Sequence, residues 1–464
     1  MAATLIFSLL LLASFASPFL PASAITAETF HTVPVASLLP STVCHASEGT
    51  DEAVLSVIHR YGPCSSLPKD EASPSQILLK DQARVKSLQS RVSTRRQRVE
   101  PFNSVTGTSS LPTHYGDSLN TANYVVTVGL GTPKKDFTVI FDTGSDLTWI
   151  QCQPCATSCY SQKEPIFNPA GSSTYRKISC SSAECLALKS STGNPGTCSS
   201  STCSYSISYG DGSYSDGVFS SDTLTLSSTD SVAGFRFGCG EDNDGLFGET
   251  AGLLGLGRDR VSVVSQTANK FSQVFSYCLP SKSSSTGFLS FGPKISSTVK
   301  FTQLQMQDPA SFYFLNMVGI TVGSQKLPIS SSVFANVGTI IDSGTVVTRL
   351  PPTAYSALRS AFRQGMAQYP SAPSLSILDT CYNLSNYPTV RIPKIGLQFE
   401  SGVEVDLAFS GIFYFSSVSQ VCLAFAGNSD PSDVGIFGNI QQKTYEVVYD
   451  VGNKRMGFRG GGCS

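Results

Sequence analysis

Phe141-Asp142-Thr143-Gly144-Ser145 is answered 200 residues later by Ile341-Asp342-Ser343-Gly344-Thr345. Each copy sets an apolar residue before an Asp, then a small hydroxyl residue, a Gly and a second hydroxyl residue. Val139-Ile140-Phe141 and Thr339-Ile340-Ile341 read as buried strand ends. The Gly two residues after each Asp permits a tight turn and close backbone approach. The loop thus carries its carboxylate on a rigid element, and Ser145 and Thr345 stand where they can donate to a carboxylate oxygen and fix its plane. One such loop alone is an ordinary strand-to-turn exit, because Asp, Gly and Ser dominate turns. Two with the same lead-in point to an internal duplication, two similar lobes that each supply one Asp. Carboxyls a few ångströms apart resist joint ionisation, so one proton is held between them and the pair titrates as a unit. One member then acts as base toward water while the other donates to a substrate carbonyl.

Composition removes the main competing chemistries. The four His residues are His31, His45, His59 and His114, all before Tyr115. The body of the chain has no imidazole for Ser-His-Asp or Cys-His catalysis, or for a His-Glu-x-x-His zinc site. No Gly-x-x-x-x-Gly-Lys-[Ser/Thr] phosphate loop is present. Charged residues make up 14% of the chain and the net charge is −1. A surface sparse in charge and rich in hydroxyls tolerates acid, because few carboxylates must change protonation state. Charge is nevertheless segregated. Lys80 to Arg98 holds Lys80, Arg84, Lys86, Arg91, Arg95, Arg96 and Arg98 against Asp81 alone.

Of the 14 Cys residues, Cys44 and Cys64 precede residue 100 and twelve follow it. An even set of twelve fits a disulfide framework in an oxidising compartment. Cys152-x-x-Cys155 and Cys155-x-x-x-Cys159 also have metal-like spacing, so a four-Cys zinc site is the rival reading. A secretory signal favours disulfides: Leu5 to Leu12 is an apolar core and Ala22-Ser23-Ala24 offers small residues for cleavage, although no Lys or Arg precedes it. That apolar run is too short to span a bilayer, no later stretch is long enough, and the Gly460-Gly461-Gly462-Cys463-Ser464 end lacks the hydrophobic tail of a lipid-anchor signal.

Residues 1–24 are therefore expected to be a signal peptide and 25–110 a pro-segment, followed by β lobes at 111–295 and 296–464. Ile77 to Val99 has helical spacing and a basic face. It reads either as a solvated helix or as a cover for an acidic cleft. Short alternating runs after Tyr124, such as Tyr124-Val125-Val126-Thr127-Val128, Gly217-Val218-Phe219-Ser220 and Thr444 to Asp450, read as strands. Pro352 to Gln368 is the best helix, opened by Pro in its first turn. Asn383-Leu384-Ser385 is the one permitted glycosylation sequon.

From about Tyr124 to the C-terminus the chain resembles the pepsin-like aspartic proteases. It is most similar to the plant branch called nepenthesin-like or atypical, which also contains proteins described as chloroplast nucleoid DNA-binding. The likeness rests on separated motifs in one order. Phe141 to Trp149 looks like a first catalytic loop. Tyr209-Gly210-Asp211-Gly212-Ser213 is similar to the flap that closes over substrate. Leu253-Leu254-Gly255 and Ile436-Phe437-Gly438 resemble the strands that thread beneath each catalytic loop. The resemblance implies an all-β, bilobal fold with the active-site cleft between two β lobes. It implies that Asp142 and Asp342 hold the water, with Gly144 and Gly344 in their loops. Thr143 and Ser343 would cross-link those loops, Ser145 and Thr345 would orient the outer carboxylate oxygens, and Tyr209 would be the flap Tyr steadied by Trp149. It also implies the pairs Cys152–Cys155, Cys159–Cys239, Cys180–Cys203, Cys185–Cys198, Cys278–Cys463 and Cys381–Cys422.

The expected function is an aspartic endopeptidase, secreted to the extracellular space, with vacuole and plastid as alternatives. Its partner would be a protein or peptide substrate, with no cofactor, no metal and no membrane anchor, acting as a monomer. Two other functions compete. One is a non-catalytic binding or inhibitor protein on the same fold, such as the plant xylanase inhibitors, but those lose part of the catalytic set that is intact here. The other is DNA binding through the basic pro-region, which would be nonspecific and salt-sensitive. A secreted protein rarely meets DNA, so nucleic acid is not the expected partner.

Overall fold

A computed structural model describes residues 29–46, 54–67, 73–97, 124–209, 212–245 and 247–463. The expected signal peptide lies outside them, as do Gly210 and Asp211 of the expected flap. The architecture is mostly β-sheet with few helices, and its two halves repeat one device. In the first half the strand Lys135–Asp142 delivers Asp142, and Gly252–Gly255 runs parallel beneath it with Gly255 opposite Asp142. In the second, Thr339–Ile341 leads to Asp342, and Gly435–Phe437 runs parallel beneath it with Phe437 opposite Ile341. Leu253-Leu254-Gly255 and Ile436-Phe437 thus lie under the two Asp-bearing strand ends. Parallel pairing buries both faces, which is why these segments are continuously apolar rather than alternating.

A shared sheet joins the halves. Val274–Cys278 pairs with Thr286–Phe291 on one side and with Glu446–Asp450 on the other, so strands more than 150 residues apart become neighbours. Phe275 stacks on Tyr449 at 4.3 Å within a core that draws on both halves. The N-terminal segment enters the same architecture. Val54–His59 pairs with Thr286–Phe291 and touches Tyr124–Leu130, while Phe30–Pro34 pairs with Thr389–Pro393.

The helix expected over Ile77 to Val99 spans Pro74–Gln97. It starts earlier because Ser73 and Gln76 form a reciprocal cap: the Gln76 N–H donates to Ser73 Oγ and the Ser73 N–H to Gln76 Oε1. Pro74 fits the first turn. The helix expected at Pro352 to Gln368 spans Pro352–Gly365. Among the described residues no helix is long and apolar enough to cross a membrane.

The structure pairs all 14 cysteines, and the Cys-rich insert departs from the implied connectivity. Cys152 bonds Cys239, Cys155 bonds Cys159, Cys180 bonds Cys198 and Cys185 bonds Cys203. These replace Cys152–Cys155, Cys159–Cys239, Cys180–Cys203 and Cys185–Cys198. Parallel pairing of Ser231–Asp244 with Trp149–Gln151 brings Cys239 beside Ile150, and the Cys152 N–H donates to Gly240 O at 2.7 Å. Cys239 therefore faces Cys152 in the core. Burial sorts the other four: Cys185 and Cys203 are buried, whereas Cys198 is exposed and meets Cys180 outside. In the second half Cys381 stands directly opposite Cys422 on paired strands and bonds it, and Cys278 bonds Cys463. Cys44–Cys64 closes a bridge within the N-terminal segment.

Non-reducing peptide mapping should recover Cys152–Cys239, Cys155–Cys159, Cys180–Cys198 and Cys185–Cys203. Recovery of a Cys159–Cys239 peptide would contradict the register that carries Cys239.

Candidate active site

The two Asp-bearing loops meet back to back. The Ser343 N–H donates to Thr143 Oγ1 at 2.9 Å and the Thr143 N–H donates to Ser343 Oγ at 3.2 Å, a reciprocal cross-link that sets the loops' spacing. Within each loop the carboxylate is clamped in the same way. Ser145 Oγ donates to Asp142 Oδ2 at 2.6 Å and Thr345 Oγ1 to Asp342 Oδ2 at 2.5 Å. The Gly144 and Gly344 N–H groups each donate to the Oδ1 of their own Asp at 3.0 Å. Asp142 and Asp342 are buried, so these donors replace solvent. Gly at 144 follows from proximity: a Cβ there would lie 2.8 Å from Asp342 Oδ1.

Beyond the expected residues the twofold relation continues. Thr148 Oγ1 accepts from the Gly255 N–H at 3.1 Å, and Thr348 Oγ1 accepts from the Gly438 N–H at 3.0 Å. These bonds tie each Asp loop to the strand beneath it. Sequence reasoning passed over this pair, although each Thr lies six residues after its Asp. Trp149 is fully buried and donates from Nε1 to Tyr209 Oη at 2.8 Å, with Phe247 packed against both rings. Tyr209 is thus held at the base of a hairpin whose N–H donates to Ser213 O at 2.8 Å, with Gly212 at φ +87°.

The Pro74–Gln97 helix lies across both carboxylates. Arg84 Nη2 donates to Asp142 Oδ1 at 2.6 Å and to Asp342 Oδ1 at 2.8 Å, and Arg84 Nε donates to Asp342 Oδ2 at 2.8 Å. One guanidinium therefore spans the pair. The apolar stripe Leu78, Val85, Leu88 and Val92 is buried, with Val85, Leu88 and Val92 packed on Phe312, Phe314 and Ile340. Arg91 stacks over Phe312 at 4.5 Å and donates to Gly144 O at 3.2 Å. Asp81, three residues before Arg84, is fully buried on Arg349 at 2.8 Å. Covering an acidic cleft is one of the two readings of this basic face; the sequence does not single out Arg84 as the side chain that meets the two aspartates.

Burial opposes ionisation of Asp142, but the Arg84 charge, the Ser145 hydroxyl and the Gly144 N–H together hold its carboxyl below the ordinary carboxylate range. Burial likewise opposes the charge on Arg84, and the two carboxylates more than offset it. Burial and the nearby Lys443 push the His59 imidazole, on the neighbouring N-terminal strand, down to about 3. The site geometry is thus a cation locked onto a carboxylate pair.

Two family descriptions match the chain: "Xylanase inhibitor N-terminal" over residues 124–293 and "Xylanase inhibitor C-terminal" over residues 312–460. An aspartyl protease family protein of Arabidopsis thaliana is 54% identical over 94% of this chain and 93% of its own length. Aspartic proteinase nepenthesin-1 of Nepenthes gracilis is 39% identical over 80% of this chain and 84% of its own. Among solved structures, basic 7S globulin from soybean superposes with a TM-score of 0.57 at 20% identity, covering 72% of this chain and 92% of that one, a likeness of fold. The chain belongs to the plant pepsin-like aspartic protease family, whose members named here are aspartic-type peptidases.

Arg84→Gln should weaken helix docking by about 3 kcal/mol, the scale of breaking a buried ion pair. Hydrogen exchange over residues 78–92 should accelerate accordingly at neutral pH. Acid should loosen the N-terminal segment of the unaltered chain. A depressed carboxyl contributes its hold above pH ~4 and loses it as pH falls through the lowered value, and the depressed His59 contributes above pH ~6.5 and loses it on the way to about 3. Asp81, raised by burial, acts in the opposite sense, its contribution fading as pH rises. Protection factors, taken against the intrinsic exchange rate at each pH, that rise steadily from pH 6.5 to 3 would contradict this balance.

Proposed function

We propose that this chain is the precursor of a secreted aspartic endopeptidase whose catalytic carboxyls are Asp142 and Asp342. The observation that carries the reading is that a single nitrogen of Arg84 bonds both carboxylates. Two carboxyls that close, clamped by matched hydroxyls and amides, take one shared proton once the guanidinium leaves. A water held between them would lose its proton to the ionised Asp as it attacks a peptide carbonyl. The protonated Asp would donate toward the developing oxyanion, and the amine would leave after protonation, with no covalent acyl-enzyme. The hairpin carrying Tyr209 would close over an extended peptide and exclude bulk water.

With Arg84 seated no proton can be shared and no water can sit between the carboxyls, so the docked form is latent. Residues 25–110 are then the pro-segment and the lobes follow it. The inward turn of Arg84 and Arg91 uses charge that DNA binding would need, which favours the latency role for the basic stretch. The complete clamp on both carboxylates likewise favours an enzyme over a binding protein of the same fold. Seven disulfides support an oxidising, secretory route, and the partly exposed Asn383 would be glycosylated on it.

Acid-treated precursor should shed its N-terminal segment and cleave peptides with an acidic optimum and pepstatin sensitivity. Asp142→Asn and Asp342→Asn should each lower kcat by about 10³-fold or more, while Arg84→Gln should process at higher pH than the unaltered chain. Unchanged turnover in either Asn variant would overturn the assignment.

A further inference from the structure

The two halves diverge where the repeat ends. Phe141 to Trp149 aligns with Ile341 to Arg349, so Arg349 occupies in the second half the place of Trp149 in the first. Trp149 serves the Tyr209 hairpin. Arg349 instead faces the Pro74–Gln97 helix and is 1% exposed beneath it. Its Nη2 donates to Asp81 Oδ2 at 2.8 Å and reaches Gln82 Oε1 at 3.4 Å, and Nη1 donates to Val347 O at 3.1 Å. Its Nε is buried with no hydrogen-bond partner.

The Asp81 carboxylate sits in a formed receptor. Besides the guanidinium it accepts from the Val346 N–H at 2.6 Å and from the Val347 N–H at 3.3 Å. Three donors therefore converge from the body of the protein on a carboxylate supplied by the helix. Burial raises Asp81 and lowers Arg349 in spite of their pairing, so the contact is not simply a strong fastener. When the helix leaves, the donors stay. Uncovered, the guanidinium and the two N–H groups stand preorganised toward the groove, and an arriving carboxylate can accept from all three at once.

We propose that Arg349 with the Val346 and Val347 N–H groups forms a substrate subsite for a carboxylate side chain, an Asp or Glu near the scissile bond. This deepens the endopeptidase reading and rests on it. Distance along the chain follows from geometry. Asp81 lies three residues from Arg84, about 4.5 Å along the helix axis. An extended peptide rises about 3.3 Å per residue and returns to the same face every second residue. That span is between one and two residues of extended chain, and the same-face rule selects the second, so the acidic side chain is placed about two residues from the bond that the Asp142–Asp342 pair attacks.

The test uses the acid-processed enzyme with peptide pairs carrying Glu or Gln two or three residues to either side of the cleaved bond. At pH 5 one position should favour Glu by about 10- to 100-fold in kcat/KM, the range of a charge-assisted hydrogen bond. The preference should vanish below pH ~4, where the substrate carboxyl is neutral. Arg349→Gln should erase it, bringing the ratio of Glu to Gln cleavage to about one. Equal cleavage at every position, or a preference that survives in R349Q, overturns the subsite. A second measurement needs neither turnover nor an altered protein. A labelled peptide of residues 74–97 should bind the processed chain at least about tenfold more tightly than the same peptide carrying D81N. Equal binding overturns the subsite even if the enzyme cuts peptides. Tighter binding of the unaltered peptide by a chain that cuts nothing upholds the carboxylate site and refutes the endopeptidase reading.

Discussion

Two buried carboxylates side by side repel one another, and nearly every feature of the cleft answers that constraint. Each is supplied with donors from its own loop, Ser145 and the Gly144 N–H for Asp142, Thr345 and the Gly344 N–H for Asp342. Those donors compensate burial, but they do not cancel like-charge repulsion. A shared proton or an inserted cation is needed. Arg84 is the inserted cation here. Its planar fork presents Nη2 to both Oδ1 atoms and Nε to Asp342 Oδ2, which a point-charged ammonium could not do with fixed geometry.

The same constraint explains why the loops must be braced against each other. Two repelling groups hold their separation only if the backbone beneath them is stiff. The reciprocal Thr143–Ser343 bonds supply a cross-brace, and Thr148 and Thr348 pin each loop to the strand below. Cys278–Cys463 and the pairing of Val274–Cys278 with Glu446–Asp450 extend that stiffness through the shared sheet. A displacement of one half against the other would change the carboxylate spacing directly, and the fully buried stack of Phe275 on Tyr449 resists it within the shared sheet.

Much of this was legible in the sequence because it is encoded locally. Asp-Thr-Gly-Ser and Asp-Ser-Gly-Thr each specify a backbone turn and its side-chain clamp within five residues, and the continuous apolar runs at 253–254 and 436–437 announce strands buried on both faces. What sequence could not supply was tertiary partnership. Seven cysteines within 152–203 allow many pairings, and the choice depended on a parallel register that sets Cys239, 87 residues on, beside Cys152. The basic stretch concealed its key residues by averaging. Counting seven positive side chains between Lys80 and Arg98 describes a charged face, but the informative residues are one cation and the single anion. Arg84 and Asp81 sit on the buried stripe with Leu78, Val85, Leu88 and Val92. A charge at an apolar repeat position was the available signal.

The duplication also shows how one scaffold divides labour between its halves. The positions that hold the carboxylates are equivalent in kind, Ser145 with Thr345 and Thr148 with Thr348. The next residue along differs completely, Trp149 against Arg349. Both are large and buried, yet one offers a donor to Tyr209 at the base of the hairpin and the other a charge to Asp81 of the N-terminal helix. The N-terminal helix satisfies both demands of the second half at once, a cation for the Asp pair and an anion for Arg349, one turn apart. It needs little intrinsic affinity to do so, because it is tethered to the body it covers and its effective concentration is high. In the proposed maturation, cutting the tether removes that advantage, and a substrate then competes only with water for the same donors.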